Sequence, residues 1–325
     1  MEMLVPSILL FVGLLAVIKG GDWFVDAASG IARAFGVPSF LIGATVVSIA
    51  TTLPELIVSC TGAANHTEAG VDMAIGNAVG SVTANTGLIM GVAFLFLPMV
   101  IRRKDYIVQC LMLVLAAVLL LVGSLRGSLS VIASAALLLL FAAFMGMNVR
   151  DALKQSKLTP DDDAAREKQE ARSHMVKFII LFIVGAALIV VGSRLLVDNG
   201  TKLAAAMGIP DRVIAVTLVA VGTSLPELIT TLTAIRKKEA GLSVGNIIGA
   251  NIIDLSLILP VCSFIAGRPI PVPVNSLMMD IPVCLGIILL ALVPMLIRQK
   301  TGKVQGFAIL LPYLAYVAYT VFCMS

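Results

Sequence analysis

Charge is what this sequence has least of. Only 13% of its 325 residues are Asp, Glu, Lys or Arg, and the mean hydropathy is +1.05. Soluble domains carry about 25% charged residues, so an ordinary water-soluble fold is excluded. Histidine is nearly missing: His66 and His174 are the whole supply, and both fall in predicted loops. No Ser–His or Ser–Lys pair sits at depth to make an activated nucleophile, and no Walker-type loop is present to hold a nucleotide. Intramembrane hydrolysis and ATP-driven pumping are thereby excluded, and no enzyme activity or cofactor is expected. The apolar runs lack the period-two alternation of a membrane β-barrel. The five cysteines (Cys60, Cys110, Cys262, Cys284, Cys323) show no paired spacing and read as small buried hydrophobes. The first apolar run, Leu4 to Ile18, follows Met-Glu-Met, without the basic residues of a signal peptide, and is expected to be a retained helix.

What remains is apolar and long. Runs such as 107–123, 128–148 and 178–192 approach the length that crosses a bilayer as a helix. Breaks between runs give ten expected spans: 5–33, 38–64, 71–98, 105–123, 128–148, 174–205, 210–235, 241–266, 276–297 and 304–323. The fold class is therefore an all-α polytopic membrane protein whose solvent is the lipid bilayer. The one long polar stretch, Asn148 to His174, is too short and too charged to bury a core. It reads as a connector (149–173) between a first half (1–148) and a second half (174–325).

The two halves repeat. At an offset of 172, Val25/Val197, Asp26/Asp198, Gly36/Gly208, Pro38/Pro210, Thr45/Thr217 and Val47/Val219 match. The same offset joins Thr51-Thr52-Leu53-Pro54-Glu55-Leu56 to Thr223-Ser224-Leu225-Pro226-Glu227-Leu228. After a three-residue deletion the offset is 169, pairing Gly76/Gly245, Asn77/Asn246, Gly80/Gly249, Leu88/Leu257 and Ile89/Ile258. Five spans per half is an odd number, so the second half enters from the opposite side: ten helices form two inverted five-helix repeats, a layout typical of secondary transporters.

Lys and Arg fix the expected orientation. Eighteen of the 23 fall on one side, including Lys19, Arg33, Arg102 to Lys104, seven about the connector, Arg236 to Lys238, Arg298, Lys300 and Lys303. Arg126, Arg194, Lys202, Arg212 and Arg268 fall on the other. The connector is expected in the cytoplasm and both termini outside. The net charge of +4 follows from this asymmetry and calls for no nucleic-acid partner. Asp26 and Asp198, near the ends of two unusually long spans, read as capping or interfacial residues rather than as part of an ion path.

Each copy of the duplicated motif sets a glutamate and a proline inside an apolar run. A carboxylate at bilayer depth costs roughly 2.5–3.5 kcal/mol on insertion scales, which makes it a functional candidate. Thr51 and Glu55 share a helix face, as do Thr223 and Glu227. Pro54 and Pro226 lack the amide hydrogen and free carbonyls near Ala50 and Thr51, and near Gly222 and Thr223. Backbone oxygens at that depth are tolerated when protein, water or an ion meets them. Ser81 and Asn85 share a face of the third span, and Ala250 and Asp254 hold the matching places on the eighth. The Gly76/Gly80 and Gly245/Gly249 pairs that precede them permit close helix approach. All the ligands offered are oxygens, the set a hard cation such as calcium takes.

At these residues the chain resembles the calcium/cation antiporter superfamily, specifically the prokaryotic sodium/calcium exchangers, whose two repeat motifs correspond to 43–85 and 215–254. The resemblance covers essentially the whole chain. It implies alternating access, with sliding of the first and sixth spans, and calcium or sodium bound in turn. By position it implies Glu55 and Glu227 as central ligands, with Thr51 and Thr223 giving backbone and hydroxyl oxygens. Thr52 and Ser224 would give hydroxyls to sodium, Ser48 and Ala220 backbone carbonyls, and Ser81, Asn85 and Asp254 would complete the set. Two residues depart from the pattern: Ala250 replaces a serine, and Val82 an asparagine. The expected function is exchange of calcium for sodium across the plasma membrane, with proton-driven or potassium-dependent exchange as alternatives. A passive channel would draw its carboxylates from oligomeric symmetry; here the symmetry is internal, as suits a single-chain carrier with no protein partner.

Overall fold

Helix accounts for nearly all of the described residues. The computed structural model describes residues 3–64, 68–156, 162–207, 222 and 224–323. In chain order the helices are α1 (Leu4–Phe35), α2 (Ser39–Thr51), α3 (Leu53–Ala64), α4 (Glu68–Ala84, continued through Asn85–Met90 to Gly91–Phe96), α5 (Arg103–Gly123) and α6 (Val131–Ser156). The second half has α7 (Asp162–Ser173), α8 (Met175–Ala206), α9 (Leu225–Arg236), α10 (Ala240–Ala266), α11 (Ser276–Arg298) and α12 (Lys303–Cys323). Among the described residues seven helices are long and apolar enough to cross a membrane, and α2 with α3 makes an eighth if that interrupted pair is one span. The expected span 210–235 falls largely outside the described residues.

The helices group into two compact units, and neither unit is a sequence half. One holds residues 1–51 and 148–246, the other 52–147 and 247–325.

In the first unit the 32-residue helices α1 and α8 run antiparallel, joined by four glycines. A Cβ on Gly13 would lie 2.9 Å from the Gly192 carbonyl oxygen, and one on Gly192 the same distance from that of Gly13. Gly20 and Gly185 are related in the same way, again at 2.9 Å. Gly13 and Gly185 are 172 apart, as are Gly20 and Gly192, so each glycine meets the counterpart of the other. That exchange of partners is what a two-fold relation between the two helices would produce. In lipid, where apolar faces gain little by hiding from one another, such backbone approach supplies the packing energy. Beside the crossing, Phe24, Val25, Ala28 and Ile189 are buried with Phe178 and Phe182 packed on them.

α1 ends at Gly36, whose φ of 67° is the left-handed geometry of a helix C-cap. Arg172 of α7 donates from Nε to the Ala34 carbonyl at 3.0 Å, satisfying another carbonyl at that end. The connector is thus partly helical, with Arg172 in the last turn of α7, where a cation suits the helix dipole. Farther along, Asp22 pairs with Arg236, and Asp26 with Lys237 at 2.6 Å. Asp26 therefore makes an exposed ion pair, in keeping with an interfacial residue.

The second unit contains two short extended contacts: Ser128–Leu129 against Ile270–Pro271, and Val100 against Lys300. The repeat maps one onto the other, since Ser128 to Lys300 is 172 positions and Val100 to Pro271 is 171. Arg103 also donates from Nε to the Leu296 carbonyl at 3.0 Å. Arg103 and Lys300 consequently share one end of this unit, as the charge distribution anticipated.

Candidate functional site

Both copies of the proline–glutamate motif open a helix in the same way. The amide of Leu56 donates to the Thr52 carbonyl (3.1 Å), and its counterpart Leu228 to the Ser224 carbonyl (3.0 Å), each acceptor being the residue just before the helix. α2 stops at Thr51 and α3 begins at Leu53, so the interruption lies next to Pro54, as the missing proline amide requires. Glu55 follows in the first turn of α3 and Glu227 in the first turn of α9. Helix N-termini favour negative charge, which lowers the cost of a carboxylate placed there. Both glutamates are 1% exposed.

The complementary positions are built by a second duplicated device. Asn85 opens the wide turn Asn85–Met90 within α4, and Asp254, its counterpart at an offset of 169, opens the wide turn Asp254–Ile258 within α10. Such π-type turns expose backbone oxygens and recur at functional sites. Asn85 is 1% and Asp254 0% exposed.

In the second unit α3, α4 and the Asp254–Ile258 turn pack on one another. The elements carrying Glu55, Ser81, Asn85 and Asp254 are therefore assembled together, and all four residues are buried. Asn77 ties them: its Nδ2 donates to the Glu55 carbonyl (3.3 Å) and to Ser59 Oγ (2.9 Å). The Asn85 Oδ1 is buried without a hydrogen-bond partner among the described residues, the sort of oxygen a cation satisfies. Thr52, of the same unit, is also buried.

In the first unit α9, with Glu227, packs on the Ser48–Thr51 turn. Thr51 Oγ1 donates to the Ser48 carbonyl (3.3 Å) and to Asn246 Oδ1 (3.1 Å). Ser48, Thr51 and Ser224 are buried, and Ser224 Oγ has no hydrogen-bond partner among the described residues. A Cβ on Gly245 would sit on the Phe40 carbonyl, so this glycine of the second pair does permit close approach. For Gly76 and Gly80 nothing described lies within 4 Å; the counterparts of Phe40 and Ala44 fall at 212 and 216, outside the described residues. Thr223 and Ala220 of the expected set also lie outside them.

Two departures acquire a physical meaning. Val82 is fully buried, while its counterpart Asn251 donates to Thr86 Oγ1 at 2.8 Å. Ala250 is also fully buried, so no hydroxyl stands there. Among the described residues no three His, Cys, Asp or Glu side chains form a metal cage. A cation held by these residues must therefore draw on amide, hydroxyl and backbone oxygens as well as carboxylate.

The roles of Asn77 and Asn246 were not read from the sequence as part of the site. Their signal was there, in matched repeat positions beside the glycine pairs.

The sodium/calcium exchanger protein family matches this chain twice, over residues 6–150 and 177–322. Among similar proteins, an uncharacterised membrane protein of Methanocaldococcus jannaschii is 33% identical, over 94% of this chain and 95% of its own length. The sodium/calcium exchanger MaX1 of Methanosarcina acetivorans is 32% identical, over 96% of this chain and 97% of its own. A solved structure of the sodium-calcium exchanger NCX_Mj, soaked with sodium and calcium, superposes with a TM-score of 0.80 at 32% identity. That superposition covers 97% of this chain and 98% of the other.

Proposed function

Since the chain belongs to the sodium/calcium exchanger family, a family of membrane transporters rather than enzymes, we propose that it is a secondary antiporter exchanging calcium for sodium by alternating access. The observation that carries this reading is the duplicated buried glutamate, placed at the start of a helix in both copies of the family repeat. The calcium ligands are Glu55, Glu227 and Asp254, supported by oxygens of Thr51, Thr223, Ser81 and Asn85. Thr52, Ser224, Ser48 and Ala220 serve sodium. The protein acts in the plasma (inner) membrane as a single chain of ten spans in two inverted repeats, and its connector faces the cytoplasm.

Hard divalent cations want six to eight oxygens with several negative charges, whereas sodium is content with fewer. Binding either ion, but not neither, is what couples the fluxes: the uncompensated carboxylates resist crossing the apolar layer without a cation.

Ala250 favours a second reading. In a family whose repeat is expected to carry serine there, the methyl group removes one oxygen from the sodium set, which suits a proton- or potassium-dependent exchanger. Calcium uptake into proteoliposomes under separate sodium, potassium and proton gradients decides between them. The expected result is uptake driven by an outward sodium gradient alone. Uptake driven only by protons, or requiring potassium as well, would establish the second reading. Uptake with no opposing gradient would mean a channel.

A further inference from the structure

A carboxylate outside both duplicated motifs lies within an apolar span. Asp280 is the fifth residue of α11, at the end of a further wide turn, Ser276–Asp280, and is half-buried. Neither the repeat nor the ligand set above accounts for it. An ionisable side chain at such depth is costly unless something meets its charge.

Its surroundings belong to a single compact unit. Tyr316 of α12 donates its phenol hydrogen to Asp280 Oδ1 at 2.9 Å. Cys284, one turn further along α11, is buried. Val283 and Ile287 of α11 pack with Tyr313 and Val317 of α12 on Ala84, which precedes the Asn85 turn, and on Leu88 within it. Asp280 thus stands one turn from residues that pack on α4, the helix on which the Asp254–Ile258 turn also packs.

The chemistry of the place is oxygen of low charge. An ionised carboxylate has about four acceptor positions, and one hydrogen bond from a phenol leaves capacity to spare. Among the described residues no Lys or Arg is in ion-pair range of Asp280. Ser276, buried one turn earlier, adds a hydroxyl. One carboxylate, one phenol and one hydroxyl fall well short of the anionic oxygens that hold calcium. They match a single positive charge.

We propose that Asp280, with Tyr316, forms a monovalent-cation site that takes sodium on the approach to Asp254. The proposal deepens the exchange reading and rests on it for the identity of the ion. It is tested by binding, independently of transport. Equilibrium binding of radioactive sodium to the purified protein is compared for wild type, Asp280→Asn, Asp280→Glu and Tyr316→Phe, with calcium binding in sodium-free buffer measured alongside. Asp280→Asn should weaken sodium binding by at least about tenfold, the size of one contact to a charged group. Asp280→Glu should restore most of it, and Tyr316→Phe should give a smaller loss. Calcium affinity should stay within about twofold in all three, which also certifies that the variants fold. A sodium isotherm unchanged in Asp280→Asn would overturn the site, as would equal losses of sodium and calcium binding in every variant. Asp280-dependent sodium binding in a protein that exchanges no calcium would sink the exchange reading and leave the site standing. Sodium-driven calcium exchange with Asp280-independent sodium binding would do the reverse.

Discussion

In the proposed exchange Glu55 and Glu227 are the central ligands, and their replacement separates charge from shape. Glutamine keeps the volume and the helix start but removes the negative charge. Because the buried charge costs roughly 2.5–3.5 kcal/mol in a bilayer, Glu55→Gln and Glu227→Gln should leave the protein as stable as wild type or more so. Calcium exchange should nevertheless fall below about 1% of wild type, since binding a divalent ion with one carboxylate fewer forfeits more than the 2.7 kcal/mol that a hundredfold represents. Calcium flux in proteoliposomes, paired with thermal unfolding in detergent, checks both halves of this expectation. Near-normal flux in either variant would remove that glutamate from the ligand set. These two residues were legible from the sequence because a carboxylate and a proline in an apolar run have few structural reasons to be there. Asn77, Asn246, Thr86 and Asn251 were less legible: neutral polar side chains hydrogen-bond wherever a partner is found, and only the fold supplies the partner.

Among the elements, the crossing of α1 and α8 is the most constrained by sequence. The added Cβ of Gly20→Leu would meet the Gly185 carbonyl oxygen at 2.9 Å and the Leu188 Cβ at 2.8 Å, both backbone or near-backbone atoms that cannot swing aside. Overpacking of this kind costs about 1–3 kcal/mol or more. Gly286→Ala in α11, where nothing described lies within 4 Å, should be tolerated. Thermal midpoints in detergent are the measurement: a clear drop for Gly20→Leu with little change for Gly286→Ala is expected, and equal midpoints would argue against the crossing. Apolar length located spans such as α1, α5 and α11 to within a few residues, because hydrocarbon thickness fixes that length, whereas α6 runs on to Ser156, past the expected end at 148. The wide turns at Asn85 and Asp254 escaped notice. A π-type turn differs from its helix by a single extra residue, and no residue type announces it. The helix within the connector was missed because its polar composition offers no apolar run to announce it.

For the molecule as a whole, the proposed sidedness follows the excess of arginine and lysine: the connector is expected in the cytoplasm and Ser325 outside. A cysteine introduced at Asp162 should resist a membrane-impermeant thiol reagent in intact cells and react after permeabilisation; labelling in intact cells would reverse the topology. The native cysteines other than Cys323 are buried or half-buried within spans, so they add little background. Inversion was an expectation drawn from an odd span count. The swapped glycine pairs and the two short extended contacts could not be read without coordinates, since they depend on which segments meet.

The way the compact units divide the chain bears on how the protein is made. The unit containing α1 draws its other members from residues 148–246, and the remaining unit is incomplete until the C-terminal helices exist. At about 5–20 residues per second, Gly13 waits roughly 9–36 s for Gly192 to leave the ribosome. Throughout that interval α1 sits in the bilayer with its glycine notches facing lipid or another chain. Neither unit corresponds to a nascent N-terminal fragment that could finish folding early. A truncated product ending in the connector would therefore carry five inserted helices but no completed unit, leaving it a natural substrate for membrane quality control.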